Sequence, residues 1–286
     1  MTRTLETRDG RTVEVHELGD PAGFPVVHQH GTPGSGLLYG LWETPGIRLV
    51  GFDRAGYGGS TRRAGRSVAD VVEDVEAVAD ALGLERYATW GLSGGGPHAL
   101  ACAALCDDRL VAAASLAGVG PWDAPGLDWL AGMGEGNQIE FGRTLEGEDA
   151  LRPLLEEERE GLRATTPEEL RDAMAPHLSP TDSSALTGEL AGFFHANMQH
   201  ALEPGADGWI DDDLAFAKPW GFELSSIDRP VLIVQGGDDL MVPPAHGAWL
   251  AAHVPGAESR LDDAHGHLTL VQRLVPEVHD WLRSHS

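Results

Sequence analysis

The chain has 286 residues, 42% of them hydrophobic, and a formal net charge of −25 with a pI near 4.7. That charge excludes the basic face a nucleic-acid binder needs and disfavours an anionic membrane surface. No apolar run approaches the roughly 20 residues that span a bilayer. The opening "MTRTLETRDG" lacks an apolar signal core, so the expectation is a cytoplasmic protein with one large domain, or a domain with a sizeable insertion.

In chain order, "RTLETRDGRTVEVHELG" predicts a hairpin turning at Asp9-Gly10. Two short apolar strands follow, "PVVHQHG" and "IRLVGFD". The stretch "SVADVVEDVEAVADALGL" predicts an amphipathic helix, with Ser67 and Asp70 as a capping box, Val71, Val75, Val78 and Leu82 on one face, and Gly83 as the stop. Then come the strand "YATWGLS", the helix "GGPHALACAALCDDR" and the strand "LVAAASLAGVG". Cys102 and Cys106, four apart in that helix, read as small buried hydrophobes, not as a disulfide or metal pair. Near the C-terminus, "RPVLIVQGGDD" and "AESRLDD" predict strands, and "PAHGAWLAAHV" and "HLTLVQRLVPEVHDWLRS" predict helices. Strands alternating with helices imply a parallel sheet covered on both faces.

Residues 121–226 break this rhythm. They offer no convincing strand and several helical stretches, among them "TPEELRDAM" capped by Thr166. The segment holds 22 of the 45 acids but only 6 of the 20 basic residues, and 9 of the 18 aromatics. The expectation is a mainly helical insertion, acidic outside and aromatic inside. The runs "EEERE" and "DDD" then read as solvated faces or caps, with no metal-ligand spacing. Trp122, Trp129, Phe193, Phe194, Trp209 and Trp220 must first fill the insertion's own core, with some of them facing a substrate pocket.

"TWGLSGGG" is apolar strand, then Gly91-Leu92-Ser93-Gly94-Gly95, then helix. This is the G-x-S-x-G pattern in its meaningful context: a sharp strand–turn–helix bend lifts the serine hydroxyl above the sheet. Small neighbours are needed because the bend is tight, and the Gly94 N–H opens the helix, where negative charge is welcome. A serine nucleophile needs a base and a group to orient it. In this architecture they follow in the order acid, then histidine. "VLIVQGGDDLMVPP" supplies Asp238 and Asp239, and "LDDAHGHLTL" supplies His265 and His267.

These landmarks, with "HQHGTPGS" after the third strand and "FDRAGYGGS" after the fourth, resemble the α/β-hydrolase superfamily in its serine branch with a helical cap. The resemblance implies a mostly parallel eight-stranded sheet flanked by helices. It divides the chain into a core, residues 1–120 and 227–286, and a cap, residues 121–226. It implies Ser93 as nucleophile, His267 as base over His265, and the backbone N–H groups of Thr32 and Gly94 as the oxyanion hole. For the acid it favours Asp239, three after Gly236 and four before Pro243, over Asp238 and over Asp123 beyond the sixth strand. His30 is expected to brace the oxyanion loop, Asp53 and Arg54 to fix loops behind the site, and His98 to be a packing residue. His195 and His200 are read as part of an ordinary amphipathic helix.

The activity implied is that of a cofactor-free and metal-free serine hydrolase. It would act on a carboxylic ester or related acyl compound, small, uncharged and apolar. The alternatives are a peptidase of the prolyl-aminopeptidase type, a C–C hydrolase or lyase, and a ligand sensor without catalysis. The first of these usually shows His-Gly-Gly-Pro-Gly where this chain has His-Gly-Thr-Pro-Gly. It also needs cap acids to hold the substrate amine.

Overall fold

Alternating apolar runs become the sheet of a computed structural model that describes residues 1–286. Its strands are β1 (Thr2–Glu6), β2 (Thr12–Gly19), β3 (Phe24–Gln29), β4 (Ile47–Phe52), β5 (Tyr87–Leu92), β6 (Leu110–Leu116), β7 (Val231–Gly236) and β8 (Glu258–Asp262). They lie side by side in the order β1-β2-β4-β3-β5-β6-β7-β8. The β1–β2 and β2–β4 pairs are antiparallel and all others parallel, as expected. Central strands such as β5 are buried along their whole length, which is why they read as unbroken apolar runs.

Helices α1 (Val71–Leu82) and α2 (Gly95–Leu105) cover one face with α9 (Pro244–His253), and α10 (His267–Arg283) lies on the other. Successive side chains feed opposite cores, as period-2 geometry requires. Val27 and Val50 pack with Val75, Val78 and Leu100. Their neighbours Val26 and Leu49 pack with Leu270, Val275 and Leu282. Cys102 and Cys106 are free and buried within the first of these cores.

Between β6 and β7 the chain forms no strand. It folds into α3 (Glu135–Glu146), α4 (Glu148–Ala164), α5 (Leu170–Ala173), α6 (Pro180–Ala185), α7 (Gly188–Ala201) and α8 (Asp207–Phe216). Thr166 and Glu169 form the expected cap contacts, but the helix they open is a single turn, α5. Together these elements and the strand-end loops enclose a cavity of about 450 Å³.

The expectation that this segment keeps its acids outside holds for most of them but fails at five. Asp211, Asp212 and Asp213 are all buried, as are Glu140 and Asp182. Three consecutive helical residues cannot all face one way. Here α8 is sandwiched, so each acid meets a different buried neighbourhood. No helix of the chain is long and apolar enough to cross a membrane.

Candidate active site

Ser93 follows β5 with φ +55°, a left-handed backbone that non-glycine residues seldom adopt. Its N–H donates to the Leu116 carbonyl (2.8 Å), and its carbonyl accepts from Gly96 N–H (2.8 Å), which closes the turn into α2. The glycines around it are sterically required: a Cβ on Gly91 would strike the Gly95 carbonyl, and one on Gly95 would strike Gln29. The hydroxyl is left half-buried on the cavity wall, where His267 also lies.

His267 is the first residue of α10. Its Nδ1–H donates to Asp239 Oδ2 (2.8 Å). Asp239 follows β7 and is 1% exposed. Its other oxygen accepts the N–H groups of Met241 (2.9 Å) and Val242 (2.8 Å), so the carboxylate is fixed from both sides. Burial alone would lower the His267 pKa, but the Asp239 charge and hydrogen bond, with the Asp182 charge behind them, raise it above the ordinary histidine value. The structure forms no direct hydrogen bond between Ser93 and His267. Of the other acids, Asp238 accepts from the Thr181 hydroxyl, and Asp123 is exposed. His265 stands 3.8 Å from Asp262 and does not line the cavity.

The N–H groups of Thr32 and Gly94 have no acceptor within the protein, and both residues border the space beside Ser93. The loop that carries Thr32 is held from behind. Arg54 N–H donates to His30 Nε2 (3.0 Å), so that nitrogen is unprotonated, and the opposite Nδ1–H donates to Gly31 O (2.8 Å). Burial, then the Arg54 charge, keeps His30 well below the ordinary histidine pKa. It is a neutral brace. The Arg54 guanidinium donates to the carbonyls of His30 and Gly31.

Residues that no local motif announces complete the site. Asp212 on α8 neutralises two buried arginines, Arg54 (2.6 Å) and Arg66 (2.6 Å), and accepts from Tyr57 (2.9 Å) and the Thr32 hydroxyl (2.7 Å). Burial would raise its pKa, but the two guanidinium charges hold it well below the carboxylate range. Asp182 on α6 accepts the N–H groups of His267 (2.7 Å), Leu268 (2.9 Å) and Thr269 (2.9 Å). An anion from another helix thus caps α10 at the turn that bears His267, where its dipole is positive. Asn197 on α7 accepts from Ser35 N–H (2.9 Å) and donates to Ser35 O (3.1 Å), tying the insertion to the same loop.

The cavity wall is partly aromatic, from Phe193, Phe194 and Trp209, but it is not purely apolar. Glu135, Glu140 and Glu158 also line it, and no lysine or arginine does. Beside Ser93 a small recess reaches Glu140 and Asp213. Glu140 accepts from Trp209 Nε1 (2.6 Å), while the Asp213 carboxyl lies beside that of Glu140 and forms no ion pair. Burial, and then the neighbouring Glu140, pushes Asp213 well above the carboxylate range. Burial, with the charges of Glu140 and Glu157, pushes Glu158 up to about 7. His195 bonds the Thr165 carbonyl (2.8 Å) and His200 bonds Asp53 (2.9 Å); neither faces the cavity.

A sequence profile of the alpha/beta hydrolase fold matches residues 25–150. A proline iminopeptidase of Neisseria meningitidis serogroup A is 29% identical over 301 aligned positions, covering 94% of each chain. One from Xanthomonas citri is 36% identical over 107 residues, which is 35% of this chain and 34% of that protein. Among solved structures, an alpha/beta hydrolase fold protein from Nakamurella multipartita superposes with a TM-score of 0.71 at 26% identity, covering 99% of this chain and 98% of the other.

Proposed function

We propose that this chain, a member of the α/β-hydrolase superfamily and an enzyme of its hydrolase class, cleaves an acyl bond next to a cationic amino group through an acyl-enzyme on Ser93. The observation that carries this reading is the buried carboxyl pair Glu140–Asp213, which opens beside Ser93 with no basic partner. Burial and mutual repulsion favour the protonated form of these carboxyls in the empty recess, and a substrate ammonium bound there would favour their ionised form. The relatives named proline iminopeptidase support the same reading, which is the aminopeptidase alternative, not the uncharged ester first expected.

In this scheme Ser93 Oγ attacks the carbonyl and His267 Nε2 takes its proton. Asp239 holds the imidazole by Nδ1–H and stabilises the imidazolium. The N–H groups of Thr32 and Gly94 receive the negative charge that develops on oxygen. His267 then protonates the departing amine, and water, activated by the same base, hydrolyses the acyl-enzyme. Asp239→Asn lowers kcat by about 10²–10⁴ with the fold intact, while Asp238→Asn and Asp123→Asn leave it near normal. Steady-state kinetics of the three variants, each checked by circular dichroism, decide it. A collapse at Asp238 or Asp123 with Asp239→Asn unaffected overturns the assignment.

The substrate test uses an amino-acid arylamide, its N-acetyl derivative and a short p-nitrophenyl ester. A charge-assisted contact of about 1.5–3 kcal/mol makes the free amine roughly 10–100-fold better in kcat/KM than the blocked one. Preference for the blocked compound or the neutral ester refutes the proposal. One observation favours that second outcome: the raised pKa values of Glu140 and Asp213 leave the recess with little net charge when no cation is bound.

Glu158, on the cavity wall and coupled by charge to Glu140, adds to the field that holds the substrate cation and sets the pH response. Glu158 binds a proton as pH falls through about 7, so KM for the amine substrate rises on that side. Above roughly pH 8 the α-amino group itself loses its charge, and KM rises again. KM is therefore lowest between the two, and Glu158→Gln flattens the acid limb. An unchanged acid limb in that variant would remove Glu158 from the site.

A further inference from the structure

On the far side of the Thr32 loop, four side chains from three separate elements converge. Glu14 and His16 come from β2, Asp53 follows β4, and His200 comes from α7. One ligand atom from each lies within 4.8 Å of the others. His16 Nε2 stands 3.6 Å from Asp53 Oδ1 and 3.7 Å from Glu14 Oε1. His200 Nε2 stands 2.9 Å from Asp53 Oδ2 and 3.8 Å from Glu14 Oε1.

We propose that Glu14, His16, Asp53 and His200 form a structural binding site for a zinc-class divalent cation that pins α7 to the sheet. Three observations carry this. First, the His16 side chain is only 7% exposed, yet Nε2 has no hydrogen-bond partner and sits almost equally far from two carboxylates. A group placed for direct hydrogen bonding would be closer to one of them. Second, the His16 separations of 3.6 and 3.7 Å are close to the edges of a coordination tetrahedron, while His200 Nε2, hydrogen-bonded to Asp53 Oδ2 at 2.9 Å, gives up that bond when an ion enters. Ligand bonds of about 2.0–2.2 Å put neighbouring ligand atoms ~3.3–3.6 Å apart, so small side-chain adjustments close the shell. Third, the surrounding contacts hold the donors in place. His16 Nδ1 bonds the Thr2 hydroxyl (3.1 Å), and Asp53 accepts the N–H groups of Gly36 (2.7 Å) and Gly59 (3.1 Å). Such outer partners fix ring orientation and carboxylate angle in metal sites.

The donor set suits zinc, with two imidazoles and two carboxylates that together cancel a 2+ charge. Four protein ligands close the shell, which makes a structural site, not a catalytic one. Glu14 and His200 are partly exposed, at 20% and 24% of the side chain, and give the ion a path from solvent.

The test takes the full-length protein, stripped with chelator, and titrates it with ZnCl₂ and separately with CoCl₂. One tight equivalent of zinc is expected. Cobalt is expected to give the intense visible absorption of a tetrahedral site, and free zinc a hundredfold above Kd to raise the melting temperature by ~5 °C. His200→Gln, at the accessible rim, and Glu14→Gln should each weaken the first equivalent by ~10²-fold or more while circular dichroism stays unchanged. Absence of a saturable first equivalent, a weak octahedral cobalt spectrum, or folded variants that bind like the parent would each overturn the site.

Discussion

Ser93→Ala is expected to remove turnover almost completely, by about 10⁵–10⁶ in kcat, and to abolish covalent labelling by a fluorophosphonate, while the melting temperature stays close to that of the parent. The backbone explains why the fold survives. Ser93 is held at φ +55° by its bond to Leu116 and by the turn into α2. Alanine keeps the same Cβ, so the strain is unchanged and only the hydroxyl is lost. Ser93→Gly goes further: it relieves about 1 kcal/mol of left-handed strain and should raise stability while being equally inactive. An inactive variant that is more stable than the parent would show that the bend is kept for the hydroxyl it carries. Full labelling of Ser93→Ala would place the nucleophile elsewhere.

Asp212→Ala costs about 3–5 kcal/mol in urea denaturation and lowers kcat as well. Its carboxylate has 0% exposure and is the only acid within ion-pair distance of Arg54 and Arg66, so its loss strands two buried guanidinium groups. The same loss removes the acceptor of the Thr32 hydroxyl and loosens the loop that borders the recess beside Ser93. The adjacent residue gives the contrast. Asp211 pairs with Arg62, whose side chain is 30% exposed, so Asp211→Ala should cost about 1 kcal/mol or less. Equal costs for the two substitutions would mean that burial does not set the scale here.

The sheet was legible because most strands carry their own signal. β3 to β7 are mostly apolar runs of six or seven residues, β1 and β2 alternate about a turn at Asp9-Gly10, and the short, exposed β8 is marked by its place between two helices. Ser93, Asp239 and His267 could be singled out for the same reason: each sits in a short motif of glycines and prolines whose spacing is local. Asp182 and Asp212 could not. Asp182 meets His267 across 85 positions, and Asp212 meets Arg54 across 158. Locally, Asp182 reads as the first turn of its own short helix and "DDD" as a solvated face. Only packing decides that α8 is enclosed, and helical propensity says nothing about what encloses it. Glu140 and Glu158 lie on surface-like, charge-rich helices, and their place in the cavity depends on how α3 and α4 are rotated. Of the proposed cation site only Glu14 and His16 share a face of one strand; Asp53 and His200 join them from distant parts of the chain.

Asp212, Asp182 and Asn197 all leave the helical segment to grip the loops that shape the reaction centre. A chimaera that replaced residues 121–226 with a foreign helical cover would receive Arg54 and Arg66 without a counter-ion and an α10 whose first three amides are unanswered. The cover is therefore not an exchangeable module. Substrate range and structural integrity are inherited together. Laboratory evolution toward new substrates has to vary the cavity-facing residues of α3, α4 and α7 while leaving these three anchors untouched.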